Sequence, residues 1–188
     1  MTIAAVDSAF ITGVNMNHQE SLLRGEIFLQ TRSHSAWGGA VTAQMYLPMG
    51  RSHVWQQLTD YPRWVQYFPD LTRSEIISAD GHSRAYKRLY QVASKAFFLF
   101  TAQVEIYLKV VETAHQTAWQ QIQFQLERGS FRDFTATLNL QDFNTGTLLT
   151  YSVQATPSIP VPTQLIQEAI RLDLPSNMRR MRQVICGR

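Results

Sequence analysis

Residues 97–111 read Phe-Phe-Leu-Phe-Thr-Ala-Gln-Val-Glu-Ile-Tyr-Leu-Lys-Val-Val. Phe98, Phe100, Ala102, Val104, Ile106, Leu108 and Val110 share one parity, and Gln103, Glu105 and Lys109 lie on the other. An apolar residue at every second position is the period of a strand with one buried face. Three further runs repeat it. Ala118, Ile122, Phe124 and Leu126 alternate with Trp119, Gln121, Gln123 and Gln125. Phe134, Ala136, Leu138 and Leu140 alternate with Asp133, Thr135, Thr137 and Asn139. After the turn signal Asn144-Thr145-Gly146, Leu149, Tyr151, Val153 and Ala155 alternate with Thr150, Ser152 and Gln154. Four consecutive runs, each with one apolar and one Gln/Thr face, predict an antiparallel meander wetted on one side.

Such a sheet needs a cover for its apolar face. Thr156–Thr163 is too rich in proline for a central strand and marks a change of element. Beyond it, Ile166, Ile170, Leu174, Met178, Met181 and Ile185 recur at helical spacing, with Arg171, Arg179, Arg180 and Arg182 elsewhere on the turn. The spacing predicts one amphipathic helix over about 163–186, kinked or broken near Asp173–Leu174 by Pro175.

Upstream, Asp80-Gly81 is a hairpin signal between Thr72–Ser78 and Arg84–Ser94. Ser52 precedes His53–Thr59 as a helix N-cap, and Pro62 to Pro69 bracket a second short helix. Residues 23–32 and 39–47 read as two strands joined by the turn-rich Ser33–Gly39. Residues 1–22 show no period and read as an N-terminal extension that lies on the domain or stays mobile; 23–188 read as one domain. The expected class is α+β, with an antiparallel sheet of six or more strands gripping one long helix.

Composition excludes several classes. Only 16% of the 188 residues are charged, and 10 Phe, 7 Tyr and 4 Trp are too many for a chain that never collapses. The one cysteine, Cys186, rules out a disulfide scaffold. The longest apolar run, Ala96–Phe100, is far short of the roughly 20 residues of a membrane-spanning helix. The first basic residue is Arg24, so no basic stretch precedes an apolar one as in a secretory signal, and a cytosolic, reducing setting is expected. Net charge is +3, but residues 171–188 carry +4 and the rest −1. The basic excess is a local tail, unlike the even coat of a general nucleic-acid binder.

The order strands, two short helices, strand meander, long helix is the helix-grip arrangement. Val54-Trp-Gln-Gln-Leu-Thr-Asp-Tyr-Pro-Arg-Trp-Val-Gln-Tyr-Phe-Pro-Asp70 resembles the opening of polyketide cyclase/dehydrase-like proteins of the START/birch-pollen-allergen superfamily, which includes coenzyme-Q-binding proteins. The Asp173-Leu-Pro-Ser-Asn-Met-Arg-Arg180 stretch resembles the final helix of a cyanobacterial subgroup. The resemblance covers roughly residues 39–187 and implies an apolar tunnel between helix and sheet. Its walls would be Phe98, Phe100, Val104, Phe124, Phe134, Leu138, Tyr151, Ile166, Ile170, Met178 and Met181. The same side chains would equally serve as a filled core.

Tyr86, Arg88 and Tyr90 share a parity and are candidate polar groups for that tunnel, binding a ligand carbonyl or phenolate; the alternative is an exposed arginine stacked on tyrosines. Glu127 and Arg132 are further candidates, or a pair across a hairpin. Trp64 and Tyr67 fall by the expected tunnel mouth, as a gate, a membrane contact or core. His18, His34, His53, His82 and His115 have no metal-ligand spacing, no phosphate loop or G-x-S-x-G elbow occurs, and no cofactor is expected. No carboxylate or histidine is obliged to lie deep in the tunnel as an acid or base.

Three readings follow. The first is a non-catalytic binder or carrier of a hydrophobic small molecule such as a lipid, an isoprenoid quinone or a pigment. The second is a cyclase/dehydrase-type enzyme acting on a polyketide-like or aromatic substrate. The third is a protein that docks on RNA, a ribosome or an anionic membrane through Arg179, Arg180 and Arg182; a solvated helix face explains those arginines as well.

Overall fold

The computed structural model describes residues 16–79, 86–97, 100–115, 119–159, 161, 166 and 169–187. Eight strands form the sheet: β1 (Phe28–Ser35), β2 (Gly38–Leu47), β3 (Leu71–Ala79), β4 (Lys87–Phe97), β5 (Phe100–His115), β6 (Trp119–Gly129), β7 (Phe131–Phe143) and β8 (Gly146–Pro157). Their order is β1-β2-β8-β7-β6-β5-β4-β3, with every neighbouring pair antiparallel. This is the α+β helix-grip arrangement that the alternating runs predict.

The apolar parity of each run faces inward. Leu89, Leu108, Val110, Ile122, Phe124, Leu138, Leu140, Leu149 and Met45 are each at most 2% exposed and share one core. The other face carries the hydroxyl and amide ladder expected of a wetted surface. Thr42 and Ser152 meet at 3.1 Å, Gln44 Nε2 donates to Thr150 at 3.3 Å, and Gln121 Nε2 donates to Asn139 at 2.7 Å.

Helix α2 (Arg51–Thr59), a 3₁₀ turn (Tyr61–Arg63) and α3 (Trp64–Tyr67) follow β2. Their aromatic side chains fold back on the segment itself. Trp64 Nε1 donates to Leu58 O at 2.9 Å and Tyr67 OH to Gln57 O at 2.9 Å, while Ser74 Oγ of β3 donates to Tyr61 O at 2.7 Å. Trp64 and Tyr67, read from sequence as possible mouth residues, are buried.

Residues 23–27 depart from the strand expected of them. Met16–Arg24 form helix α1, which buries Leu22 and stacks the His18 ring on Phe28 at 3.7 Å. The helix ends at Gly25, whose φ of +96° suits glycine. A Cβ there would collide with Arg182 Nη1, so the missing side chain lets the C-terminal helix lay its guanidinium on this turn. The boundary expected at residue 22 therefore falls inside a docked helix. The Asp80-Gly81 hairpin signal and Phe98 lie outside the described residues.

At the C-terminus, a π-helical turn (Ala169–Asp173) leads into α4 (Leu174–Cys186). Pro175 explains the change. It has no N–H to give to the carbonyl of Arg171 and its ring crowds that carbonyl, so the turn widens. The helix continues with altered pitch, and Gly187 (φ +67°) caps it through its N–H to Gln183 O.

Candidate functional site

The inner face of the sheet and the C-terminal helix meet most tightly along α4. Met178, Met181 and Ile185 are at most 3% exposed and share the core with Phe124, Leu138 and Leu140. These four predicted wall residues, Phe124, Leu138, Met178 and Met181, are thus packed side chains. Phe134 is half-buried against the core and 5.6 Å from the Phe131 ring; Val104 is half-buried. Phe100 takes its place in β5 opposite Phe97.

The described residues outline two cavities against the helix. The first, of about 410 Å³, lies between the β1–β2 hairpin tip and the start of the helix. Ile166, Ile170 and Arg171 line one side, and Thr31, Arg32, Ser35, Trp37, Gly38 and Gly39 the other. Gly39 fixes the approach: a Cβ there would lie 3.2 Å from Ile166 Cγ2 and from Ile170 Cδ1. The hairpin tip is pinned to the ends of β7 and β8. His34 Nε2 and Asp133 Oδ1 meet at 2.7 Å, Ser35 Oγ and Thr156 Oγ1 at 2.9 Å, and Trp37 Nε1 donates to Pro157 O at 3.3 Å.

The second cavity, of about 240 Å³, lies between α3, the start of β3, β4, β8 and α4. Trp64, Phe68, Leu71 and Ala93 give it apolar walls; Asp70, Gln91, Tyr151 and Asn177 are its polar lining. Gln91 is committed to the scaffold, its Nε2 donating to Ser74 Oγ at 3.1 Å. Tyr151 is 9% exposed, and burial raises its pKa above the usual phenol range. Its hydroxyl is therefore a proton donor at every physiological pH.

Tyr86, Arg88 and Tyr90 do not reach either cavity. They stand on the outer face of the sheet, opposite to the parity of Leu89 and Gln91. Arg88 Nε donates to Glu127 Oε1 at 2.9 Å. Lys109 sits 4.7 Å over the Tyr86 ring. The Tyr90 and Tyr107 rings lie 4.7 Å apart, between Arg73 at 5.0 Å and Arg128 at 3.9 Å. Glu127 is thus paired with Arg88 and not with Arg132, which lies 4.9 Å over the Trp37 ring. Inner-facing Lys87, Leu89, Gln91 and Ala93 take the place assigned to these tyrosines. The signal was present: Gln91 and Ala93 share the parity of Leu89, the one aliphatic residue in Lys87–Gln91.

In the basic tail, Arg180 Nε donates to Gln66 O at 2.7 Å and Arg182 lies against Gly25, while Arg179 is exposed. Among the described residues no group of three His, Cys, Asp or Glu is placed to hold a metal ion, and no helix is long and apolar enough to cross a membrane.

Solved structures share this architecture at low identity. A protein from Thermus thermophilus aligns with a TM-score of 0.66 at 17% identity, over 79% of this chain and 97% of its own. A STAR-related lipid transfer protein from Xanthomonas axonopodis aligns with a TM-score of 0.65 at 13% identity, over 84% and 98%. The Zhui aromatase/cyclase from Streptomyces sp. R1128 aligns with a TM-score of 0.60 at 11% identity, over 80% and 92%. A search of curated protein sequences found no match. The sequence family described as polyketide cyclase / dehydrase and lipid transport matches residues 47–182, from the end of β2 through most of α4, and the chain belongs to that family.

Proposed function

We propose that the protein binds and carries a hydrophobic small molecule in the cytosol, holding it against the C-terminal helix without transforming it. The observation that carries this reading is the 240 Å³ cavity with apolar walls from Trp64, Phe68, Leu71 and Ala93, in which Asp70 is the one ionised group of the described lining. Affinity would come from covering apolar ligand surface, at about 25 cal/mol per Å² before association costs. The volume is below the roughly 300 Å³ of a typical small-molecule site, which suits a compact ligand or one end of a longer lipid, isoprenoid or pigment. Membership of a family named for lipid transport as well as cyclisation supports the carrier reading.

An acid–base enzyme of the cyclase/dehydrase type needs a group that exchanges protons near neutrality. In the second cavity Tyr151 keeps its proton, and Asp70 is the only carboxylate in the described lining. That lining favours holding over turnover. Docking on RNA or an anionic membrane through Arg179, Arg180 and Arg182 draws less support, because Arg180 and Arg182 already serve contacts within the chain.

Native mass spectrometry of protein isolated from its own host, followed by organic extraction, tests the reading. A co-purifying apolar molecule that Ala93→Phe displaces is the expected result. Protein that is empty in the host and takes up no apolar probe overturns it.

A further inference from the structure

Tyr151 is the buried polar side chain of the second cavity that the scaffold leaves unused. It is 9% exposed, and no described residue forms a hydrogen bond with its hydroxyl. The contrast with the other buried tyrosines is plain. Tyr61 OH donates to Glu112 Oε1 at 2.6 Å and Tyr67 OH donates to Gln57 O at 2.9 Å. The Tyr151 hydroxyl is not among the fully enclosed polar atoms that lack a partner; it opens on the cavity that the residue lines, where a ligand can reach it. Its surroundings select the partner it awaits. Gln91 Nε2 is turned away to Ser74, and Trp64, Phe68, Leu71 and Ala93 give the space its apolar walls, with Asp70 and Asn177 as the other polar lining. No lysine, arginine or histidine lines this cavity among the described residues, so nothing there compensates an anion.

We propose that Tyr151 is a ligand-specificity residue that donates its hydroxyl hydrogen to a neutral carbonyl oxygen on an otherwise apolar ligand seated in the second cavity. This rests on the apolar-ligand reading above and narrows it to neutral, carbonyl-bearing molecules. Burial leaves the phenol protonated at physiological pH, as a donor must be.

The test compares 2-acetylnaphthalene with 2-ethylnaphthalene, which differ by one carbonyl oxygen, and with 2-naphthoate, which carries a charge. Binding is measured by calorimetry on the full chain and on Tyr151→Phe. Wild-type protein should take the ketone about tenfold more tightly than the hydrocarbon, the effect of one good buried hydrogen bond. Tyr151→Phe should bring the ketone down to the level of the hydrocarbon, leave the hydrocarbon unchanged, and not lower the melting temperature. An undiminished ketone preference in Tyr151→Phe overturns the proposal. So does a fall of about 3 °C or more in Tm, which would mean that the phenol has a structural partner. Tighter binding of 2-naphthoate than of the ketone overturns the neutral-ligand claim. If both neutral probes bind with equal affinity, this inference fails and the carrier reading stands. If neither binds, and Ala93→Phe changes nothing, both fall.

Discussion

The Tyr61 hydroxyl donates to Glu112 Oε1 across 2.6 Å, and the same oxygen accepts from Lys87 Nζ at 2.6 Å. The Lys87 ammonium also sits 5.3 Å over the Tyr61 ring. One carboxylate thus ties the 3₁₀ turn between α2 and α3 to the inner faces of β4 and β5. Tyr61→Phe keeps the ring and removes the donor. A hydrogen bond to a charged group is worth about 1.5–3 kcal/mol, and the partly exposed Glu112 recovers some of that from water. The expected loss is about 1–2 kcal/mol, or a Tm lower by roughly 3–6 °C in a circular-dichroism melt. An unchanged melt would show that Lys87 alone holds this carboxylate.

Arg88→Ala should leave ligand binding untouched and change stability by less than about 1 kcal/mol. Arg88 is on the solvent face, and its bond to Glu127 is an exposed ion pair. Weakened uptake of an apolar probe in this variant would mean that the outer-face placement does not describe the binding state.

That prediction follows the second of the two sequence readings of Arg88, an exposed arginine, and the reason the sequence left both open is physical. On β5 to β8 the inward parity is almost wholly aliphatic or aromatic, so orientation follows from the period. On β4 the inward residues are Lys87, Leu89, Gln91 and Ala93, two of them polar because one meets Glu112 and the other Ser74. Those partners lie 25 and 17 residues away in the chain. Nothing local announces those partners, and Leu89 alone marks the inward parity in Lys87–Gln91. The same limit explains the missed α1. Met16–Arg24 has one buried residue, Leu22, and its other ties are a ring stack on Phe28 and the guanidinium of a helix far along the chain. The sheet and the final helix were legible because each carries its period over several turns or pleats. The cavity lining was not, because Gln91 and Asn177 look like surface residues until β3, β4 and α4 converge.

Three of the four buried tyrosines, Tyr61, Tyr67 and Tyr151, bear on the alkaline stability of the fold. Burial raises the pKa of Tyr67 to about 12, and those of Tyr61 and Tyr151 higher still, with Glu112 adding to the effect at Tyr61. Each keeps its proton in the fold at pH values where the open chain loses it. Their stabilising contribution is therefore whole below the unfolded value of about 10 and is lost as pH climbs through the folded value. Absorbance titration at 295 nm should show part of the seven-tyrosine signal rising smoothly, with the rest appearing only as the circular dichroism collapses. Ionisation of all seven with the native spectrum intact would contradict the burial of these rings.

The two ends of the C-terminal helix should answer differently to one added indole. Ile170 lines the 410 Å³ cavity and is only half-buried, so a tryptophan there has room to enter. Met178 is 0% exposed and shares the core with Phe124 and Leu138. A tryptophan there must force side chains off their rotamers or move the helix, at about 1–3 kcal/mol. Ile170→Trp is therefore expected to melt within about 2 °C of wild type, whereas Met178→Trp should melt several degrees lower. Uptake of an apolar probe separates the two cavities further. Ile170→Trp fills only the first, so a ligand seated beside Tyr151 should still bind to it, whereas Ala93→Phe should exclude that ligand. Equal melting of the two tryptophan variants would mean that space beneath the helix extends to Met178, as a continuous tunnel requires. Loss of probe binding in Ile170→Trp alone would move the site to the hairpin tip, with Arg32 and Arg171 as its polar groups.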